Sequence, residues 1–289
     1  MAQDTFFSPK PKLLLQGKEY YLDQPAIMGI LNVSPDSFYD GGKYETEKTV
    51  LVQTEKLLAE GANFIDIGGV SSRPGAQKVS EEEERKRVIP FLKMILKKFP
   101  NVLISADTFR NKIANEALNE GAVMINDISG GRWEPEILKT IASFQCTAVI
   151  MHNRNNFENM HDKSFYKDII KEVKKELNEN CIEAVKSGVK SILIDPGFGF
   201  AKNTEQNFEI LNKLDELSSI NYPILAGISR KSMIWKTLDT TPENALNGTT
   251  ALHMIALDKG AKVLRVHDVK EAKECITLFN KLKSNGKEG

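Results

Sequence analysis

Short apolar runs alternate with helix-length charged stretches along almost the whole chain, and that alternation restricts the fold more than any other feature. The runs at 26–33, 64–67, 102–105, 123–126, 147–151, 191–195, 224–226 and 263–266 are mostly too short for helices. They are also too continuously apolar for strands with one wet face, so both faces must be covered. Between them, 45–60, 80–99, 111–120, 163–186 and 244–259 read as helices. Gly61, Gly121, Gly188 and Gly260 stand at the ends of four of these, where a residue tolerant of positive φ is expected. Ser80 followed by Glu83 fits a capping box, and the acidic stretch Glu81 to Glu84 complements the positive end of the helix dipole.

Eight β–α repeats with no break in composition predict an α/β fold, a closed parallel (β/α)8 TIM barrel rather than an open doubly wound sheet. The 289 residues suit one such domain spanning 1–289, with the barrel at about 25–283. The segment at about 12–22, centred on Gly17 and Lys18, is expected to form a short N-terminal β-hairpin that closes the barrel floor.

Lys plus Arg and Asp plus Glu both number 39, so the net charge is zero and no polyanion-binding surface is expected. That argues against nucleic acid as a partner and requires any cationic site to be local. Cys146, Cys181 and Cys275 form no CxxC pair or Cys/His cluster, which points to buried, reduced thiols. No window approaches the ~20 apolar residues of a membrane span, nor does the start resemble a secretory leader. A cytoplasmic location is the expectation.

In a barrel, catalytic groups lie at the C-terminal ends of the strands and in the loops that follow. Here those ends carry Asn32, Asp66, Asp107, Asn126, Asp195, Lys231, Arg265 and His267, and Arg73 lies in the second loop. Each alone has an ordinary explanation, since Asp or Asn often caps the next helix and Gly-Gly often marks a turn. Capping does not call for Arg73, Lys231, Arg265 and His267 on one rim. Four potential cations in a neutral chain predict a focused anion site. Asp107, Asn126 and Asp195 provide acceptors suited to a guanidine-like or aminopyrimidine edge. Gly-rich segments after the first two strands read as loops that close over a substrate. There is no GxSxG elbow, Walker loop, HExxH or GxGxxG, so catalysis by positioning and electrostatics is expected.

Seven ordered segments then resemble the dihydropteroate synthase family, across nearly the whole chain. They run from Met28 to Phe38 (MGILNVSPDSF), Asp66 to Gly69 (DIGG), Arg73 to Gly75 (RPG), Asn126 to Ile128 (NDI), Asp195 to Phe200 (DPGFGF), Gly227 to Ser232 (GISRKS) and Arg265 to Asp268 (RVHD). The resemblance implies a folate-pathway transferase. It would condense 6-hydroxymethyl-7,8-dihydropterin pyrophosphate with p-aminobenzoate to give 7,8-dihydropteroate and pyrophosphate. It further implies that Asp107, Asn126, Asp195 and Lys231 hold the pterin. Asn32 would ligate Mg²⁺, and Arg73, Arg265 and His267 would face the pyrophosphate. Phe38, Arg73, Pro74, Phe200, Lys231 and Ser232 would flank p-aminobenzoate, whose carboxylate would meet the start of the helix after Ser229. Phe38, Asp40, Arg73 and Pro74 would belong to closing loops, and the family expectation for assembly is a homodimer.

Two positions depart from the family pattern: Val70 where Glu is common and Ser72 where Thr is usual. Both fall in the second closing loop, near the region that governs sulfonamide binding in the family. A pterin-binding methyltransferase shares the pterin-directed Asp and Asn. It would have no need of Ser229-Arg230-Lys231 or of the Arg265 and His267 pair. A non-catalytic pterin-binding paralogue would be expected to have lost some of Asn32, Arg73, Lys231, Arg265 and His267.

Overall fold

A computed structural model describes residues 11–33, 43–70, 79–160 and 162–285. A hairpin of β1 (Lys12–Leu15) and β2 (Lys18–Tyr21) precedes the alternating part of the chain. There follow β3 (Ala26–Asn32), α1 (Lys43–Ala59), β4 (Phe64–Gly68), α2 (Glu81–Lys98), β5 (Ile104–Asp107) and α3 (Asn111–Glu120). Next come β6 (Met124–Asp127), α4 (Glu136–Ser143), β7 (Thr147–Met151), α5 (Ile169–Lys186), β8 (Ser191–Asp195) and α6 (Thr204–Asn212). The chain continues through β9 (Ile224–Ala226), α7 (Ser232–Thr237), α8 (Leu246–Asp258), β10 (Ala261–Val266) and α9 (Val269–Asn285). Strands β3 to β10 pair in parallel and close in the order β10-β3-β4-β5-β6-β7-β8-β9, which is the expected eight-stranded barrel.

Side chains alternate across each strand, so every second residue points into the barrel. Outward residues such as Ile27, Ile65, Ile104, Ile125, Ile150, Ile192 and Leu264 pack under the helices in one large apolar cluster. Inward residues separate by height. Met28, Phe64, Met124, Val149, Leu193, Leu225 and Val263 form an apolar floor layer together with Leu13, Leu15 and Leu22 from the hairpin. The hairpin is fastened to the strands above it, because Leu14 N–H donates to Ser191 Oγ at 2.9 Å and Thr147 Oγ1 donates to Leu14 O at 2.8 Å. The same parity places the next inward residues one layer higher: Ile30, Asp66, Asp107, Asn126, Met151, Asp195, Gly227 and Arg265, with Asn32 a further step up β3 opposite Gly68. Packing below and polarity above are thus set by one period-two pattern.

Element ends moved where hydrogen bonding overrode hydropathy. The strand expected at 102–105 is displaced to Ile104–Asp107, because Val102 N–H closes a turn onto Phe99 O and Asp107 joins the ladder opposite Asn126. Likewise β4 and β6 run one residue further than their apolar runs. The helix expected from 163 begins at Ile169, where the Asp168 side chain caps Lys171 N–H at 3.3 Å. Ser80 Oγ accepts from Glu83 N–H at 3.2 Å, but Glu83 turns its carboxylate to Arg87. The expected capping box is therefore a single cap. Among the described residues, no helix is long and apolar enough to cross a membrane.

Candidate active site

The upper polar layer surrounds a cavity at the C-terminal mouth of the barrel, lined by Asp107, Asn126, Ile128, Met151, Asp195, Phe198, Phe200, Gly227, Lys231 and Arg265. Arg265 lies across it. Its Nε donates to Asp66 Oδ2 at 2.6 Å and its Nη2 donates to Asp107 Oδ2 at 2.6 Å, bridging β4 and β5 from β10. Asn126 Nδ2 donates to the same Asp66 Oδ2 at 2.9 Å. That bond fixes the amide, so Asn126 Oδ1 is the atom left to accept from a ligand. Asp66 itself is wholly buried, and its Oδ1 has no hydrogen-bond partner among the described residues.

On the other side Asp195 Oδ1 accepts from Gly197 N–H at 2.7 Å, which aims the carboxylate across the mouth. Lys231 Nζ stands 4.5 Å above the Phe200 ring, a cation–π contact that keeps the ammonium on the cavity wall. Its neighbour Arg230 does structural work. With φ at +55°, it sends its guanidinium to Asp268 through two 2.8 Å bonds and to the carbonyls of Pro242 and Glu243. The turn so made directs Lys231 inward.

Burial and charge set the ionisation of these groups. Desolvation raises Asp107 to about 7, with Asp66 adding to the rise and Arg265 opposing it. Asp195 is also raised by burial, against the pull of Gly197 N–H and the Lys231 and Arg265 charges. Desolvation brings Lys231 down to about 8, helped by the nearby Arg265 charge. Burial opposes the charge on Arg265, but Asp66 and Asp107 outweigh it and hold the guanidinium protonated.

His267 lies two residues beyond Arg265. Its Nδ1 is 3.0 Å from Ser229 Oγ, and burial with the Arg265 charge lowers it to about 4. His267, a potential cation by residue type, is thus pushed toward its neutral form in the ligand-free protein. Asn32 ends β3, half-buried, paired in the ladder with Gly68. Ser232 begins the six-residue helix α7 beside Lys231 and is half-buried. Val70 is half-buried just past Gly69, whose carbonyl accepts from Arg87 Nη1 at 3.3 Å. Phe38, Asp40, Ser72, Arg73 and Pro74 lie outside the described residues.

Asp66 supports the cavity from below without lining it, and Met151 lines it although it belongs to none of the seven segments. Asp66 was noted as a strand end and given no role, yet it shares parity with the inward Phe64 and so had to enter the barrel. Met151, Ile128, Phe198 and Gly227 complete the walls. By contrast Asp127, next to Asn126, points away from the cavity and accepts from Ser129 and Gly131 N–H groups at 2.7 and 2.8 Å.

Residues 28–267 match the family model described as pterin binding enzyme. The chain is 40% identical over 268 residues to the dihydropteroate synthase of Bacillus subtilis, covering 92% of this chain and 91% of that one. It is 41% identical to the dihydropteroate synthase of Streptococcus pyogenes, covering 89% and 95%. Among solved structures, Xanthomonas albilineans dihydropteroate synthase with 4-aminobenzoic acid superimposes with a TM-score of 0.88 at 37% identity, covering 95% and 99%. The same enzyme in complex with 7,8-dihydropteroate gives a TM-score of 0.85 at 35% identity, covering 95% and 99%. Barrel, inward polar layer and these likenesses agree, and the chain belongs to the dihydropteroate synthase family of pterin-binding enzymes.

Proposed function

We propose that the barrel mouth binds a dihydropterin pyrophosphate with its ring against Asp107, Asn126, Asp195 and Lys231, and that it transfers the pterin methylene to p-aminobenzoate. The observation that carries this reading is one cavity shared by those four side chains, with Arg265 held between Asp66 and Asp107 at its edge. Asn126 Oδ1 and the Asp195 carboxylate accept from the amino and ring N–H groups of the pyrimidine edge. Lys231 donates to the ring oxygen or nitrogen. Met151, Ile128 and Phe198 supply the apolar walls that a planar ring requires.

The C–O bond between the exocyclic methylene and the pyrophosphate breaks first. Its electron pair leaves with the oxygen, and the ring shares the positive charge left on carbon. Asp107 and Asp195 stabilise that cation, while Arg265 and His267 stand on the side where the anion departs. His267 enters neutral and donates a hydrogen bond as the negative charge builds. The amine nitrogen of p-aminobenzoate then attacks the methylene and loses its proton to solvent or to the departing pyrophosphate. Arylamines are weak bases and nucleophilic when neutral, so no strong general base is needed. Phe200, Lys231 and Ser232 flank this second substrate, as Phe38, Arg73 and Pro74 would by the family pattern.

No group of three or more His, Cys, Asp or Glu able to hold a metal occurs among the described residues. Mg²⁺ does not require such a group, since it keeps several waters and binds through one or two protein oxygens together with phosphates. Asn32 at the end of β3 provides such an oxygen. With the pyrophosphate it would hold the ion, which would neutralise the leaving group.

We further take residues 1–289 to be one domain acting in the cytoplasm as a homodimer through its outer helices. There Ile255 of α8 and Leu278 and Leu282 of α9 are exposed. The reaction is tested by incubating the protein with the dihydropterin pyrophosphate, p-aminobenzoate and Mg²⁺. Equal amounts of dihydropteroate and pyrophosphate are expected, and a folded protein that forms neither rules the reading out.

A further inference from the structure

Behind the cavity, on the far side of the loop joining β8 to α6, lies a buried ammonium that the reaction above does not use. Lys202 is 5% exposed. Its Nζ bonds to Gly197 O at 2.9 Å, Phe200 O at 3.0 Å and His152 Nδ1 at 2.9 Å. An ammonium has three protons and these are three good acceptors, so the group is fully used. His152 Nδ1 accepts from it, so the other ring nitrogen carries the proton and donates to Glu176 Oε2 at 2.9 Å. Glu176 is held in turn by Arg154 Nε at 2.9 Å. Burial pushes Lys202 down to about 7, and its charge is supported first by Asp195 and then, through the neutral imidazole, by Glu176 on α5.

The loop that Lys202 holds is the one that shapes the cavity, since it presents Asp195, Phe198 and Phe200 to it. It is tightly folded: Gly197, Gly199 and Ala201 all have positive φ, and a Cβ on Gly197 would fall 2.0 Å from His152 O. Backbone bonds tie its far end to Met160 and Ser164, and Asp195 caps its start. The two carbonyls between, those of Gly197 and Phe200, both take Lys202. Gly197 O also accepts from Phe200 N–H at 3.1 Å, so the ammonium adds to a bond that already closes the turn and ties that turn to His152.

We infer that Lys202 is a positioning residue for the pterin site, its ammonium clamping the Gly197–Phe200 turn to the end of β7 through His152 and so setting where Asp195 and Phe200 stand. The inference rests on the pterin reading of the cavity. It also assigns His152 a task, to hold Lys202, that requires an acceptor at the Nδ1 position and no contact with substrate.

Lys202→Met keeps the stem and removes the ammonium. The expected result is a rise in KM for the dihydropterin pyrophosphate of about tenfold or more. The affinity for 6-hydroxymethylpterin by calorimetry should fall to match. His152→Asn keeps an oxygen near the Nδ1 position, whereas His152→Leu does not. The loss in His152→Leu should approach that of Lys202→Met, and the loss in His152→Asn should be clearly smaller. Lys202→Met combined with His152→Leu should be little worse than either alone, because both break one clamp. A merely structural role would lower the unfolding temperature of all variants and leave pterin affinity per folded molecule alone. Unchanged affinity in folded Lys202→Met overturns the inference, and so do equal losses in His152→Leu and His152→Asn, a comparison that stands even if Lys202→Met does not fold. Asp195→Ala is measured alongside: if it too binds pterin normally, the pterin reading of the cavity has failed rather than the clamp.

Discussion

Arg265 Nε and Asp66 Oδ2 meet 2.6 Å apart across the barrel mouth although 199 residues separate them in the chain. The pair joins the last strand to the second, and through the same oxygen it fixes the Asn126 amide. A second arm of the guanidinium reaches Asp107, so one side chain organises three of the polar residues around the cavity.

Replacing Arg265 by Ala therefore removes more than a pyrophosphate contact. It leaves two carboxylates facing each other in a largely buried site, a situation that costs about 3–5 kcal/mol when a buried pair loses one member. The expected outcome is a lower unfolding temperature together with weaker binding of both pyrophosphate and pterin. Urea unfolding and separate titrations with pyrophosphate and 6-hydroxymethylpterin check this. A variant that loses only pyrophosphate affinity would show that the bridge to Asp66 and Asp107 is idle.

The raised Asp107 carboxyl gives a signature in pH. Its ordinary value is 3.8 and burial lifts it to about 7 in the folded protein. The folded state therefore holds this proton more tightly than the unfolded chain. The stability it contributes is fully present below about 3.8 and is lost as pH rises through about 7. Asp107→Asn has no such proton, so wild type should lose ground to the variant between about pH 4 and pH 8. Thermal midpoints of the two proteins across that range check the prediction, and parallel curves would contradict it.

His267 is expected to be neutral at pH 7 in the absence of ligand. Burial is the main cause, with Arg265 second, and its proton should be lost near pH 4. Proton NMR of the imidazole follows this directly. Adding pyrophosphate should raise the midpoint, because an anion beside the ring favours its charged form. A midpoint close to the ordinary 6.5 without ligand would contradict the burial seen beside Ser229.

At the opposite end of the barrel, Leu13 is fully buried between the hairpin and the inward floor layer. Leu13→Ala should cost about 2–5 kcal/mol of stability, as buried leucine truncations do. The kcat and KM of the folded fraction should not move, since the floor and the cavity are separate layers. A change in KM without loss of stability would show the layers to be coupled.

Much of this was legible in the chain because hydropathy reports burial directly. Eight apolar runs became eight barrel strands, and three of them kept the expected limits: Thr147–Met151, Ser191–Asp195 and Ile224–Ala226. Hydropathy fails where a polar residue belongs to the ladder, which is why Asp107 and Asp127 were read as lying beyond their strands. Motifs located Asn126, Asp195, Lys231 and Arg265, and all four line one cavity. They included Asp66 in DIGG but gave it no role, although its inward direction follows from parity with Phe64. Nor did they reveal that Arg230 and Asp127 serve backbone turns, or that Lys202 is buried. Those facts depend on which groups meet in space, and charge in a sequence carries no address.

Whether the barrel mouth is a pterin site is read from calorimetric titration of 6-hydroxymethylpterin into wild type and Asp195→Ala. A buried carboxylate accepting from a ligand contributes about 1.5–3 kcal/mol, so the variant should bind roughly ten- to a hundredfold more weakly while remaining folded. Equal affinity in the two proteins would show that the pterin does not bind against Asp195.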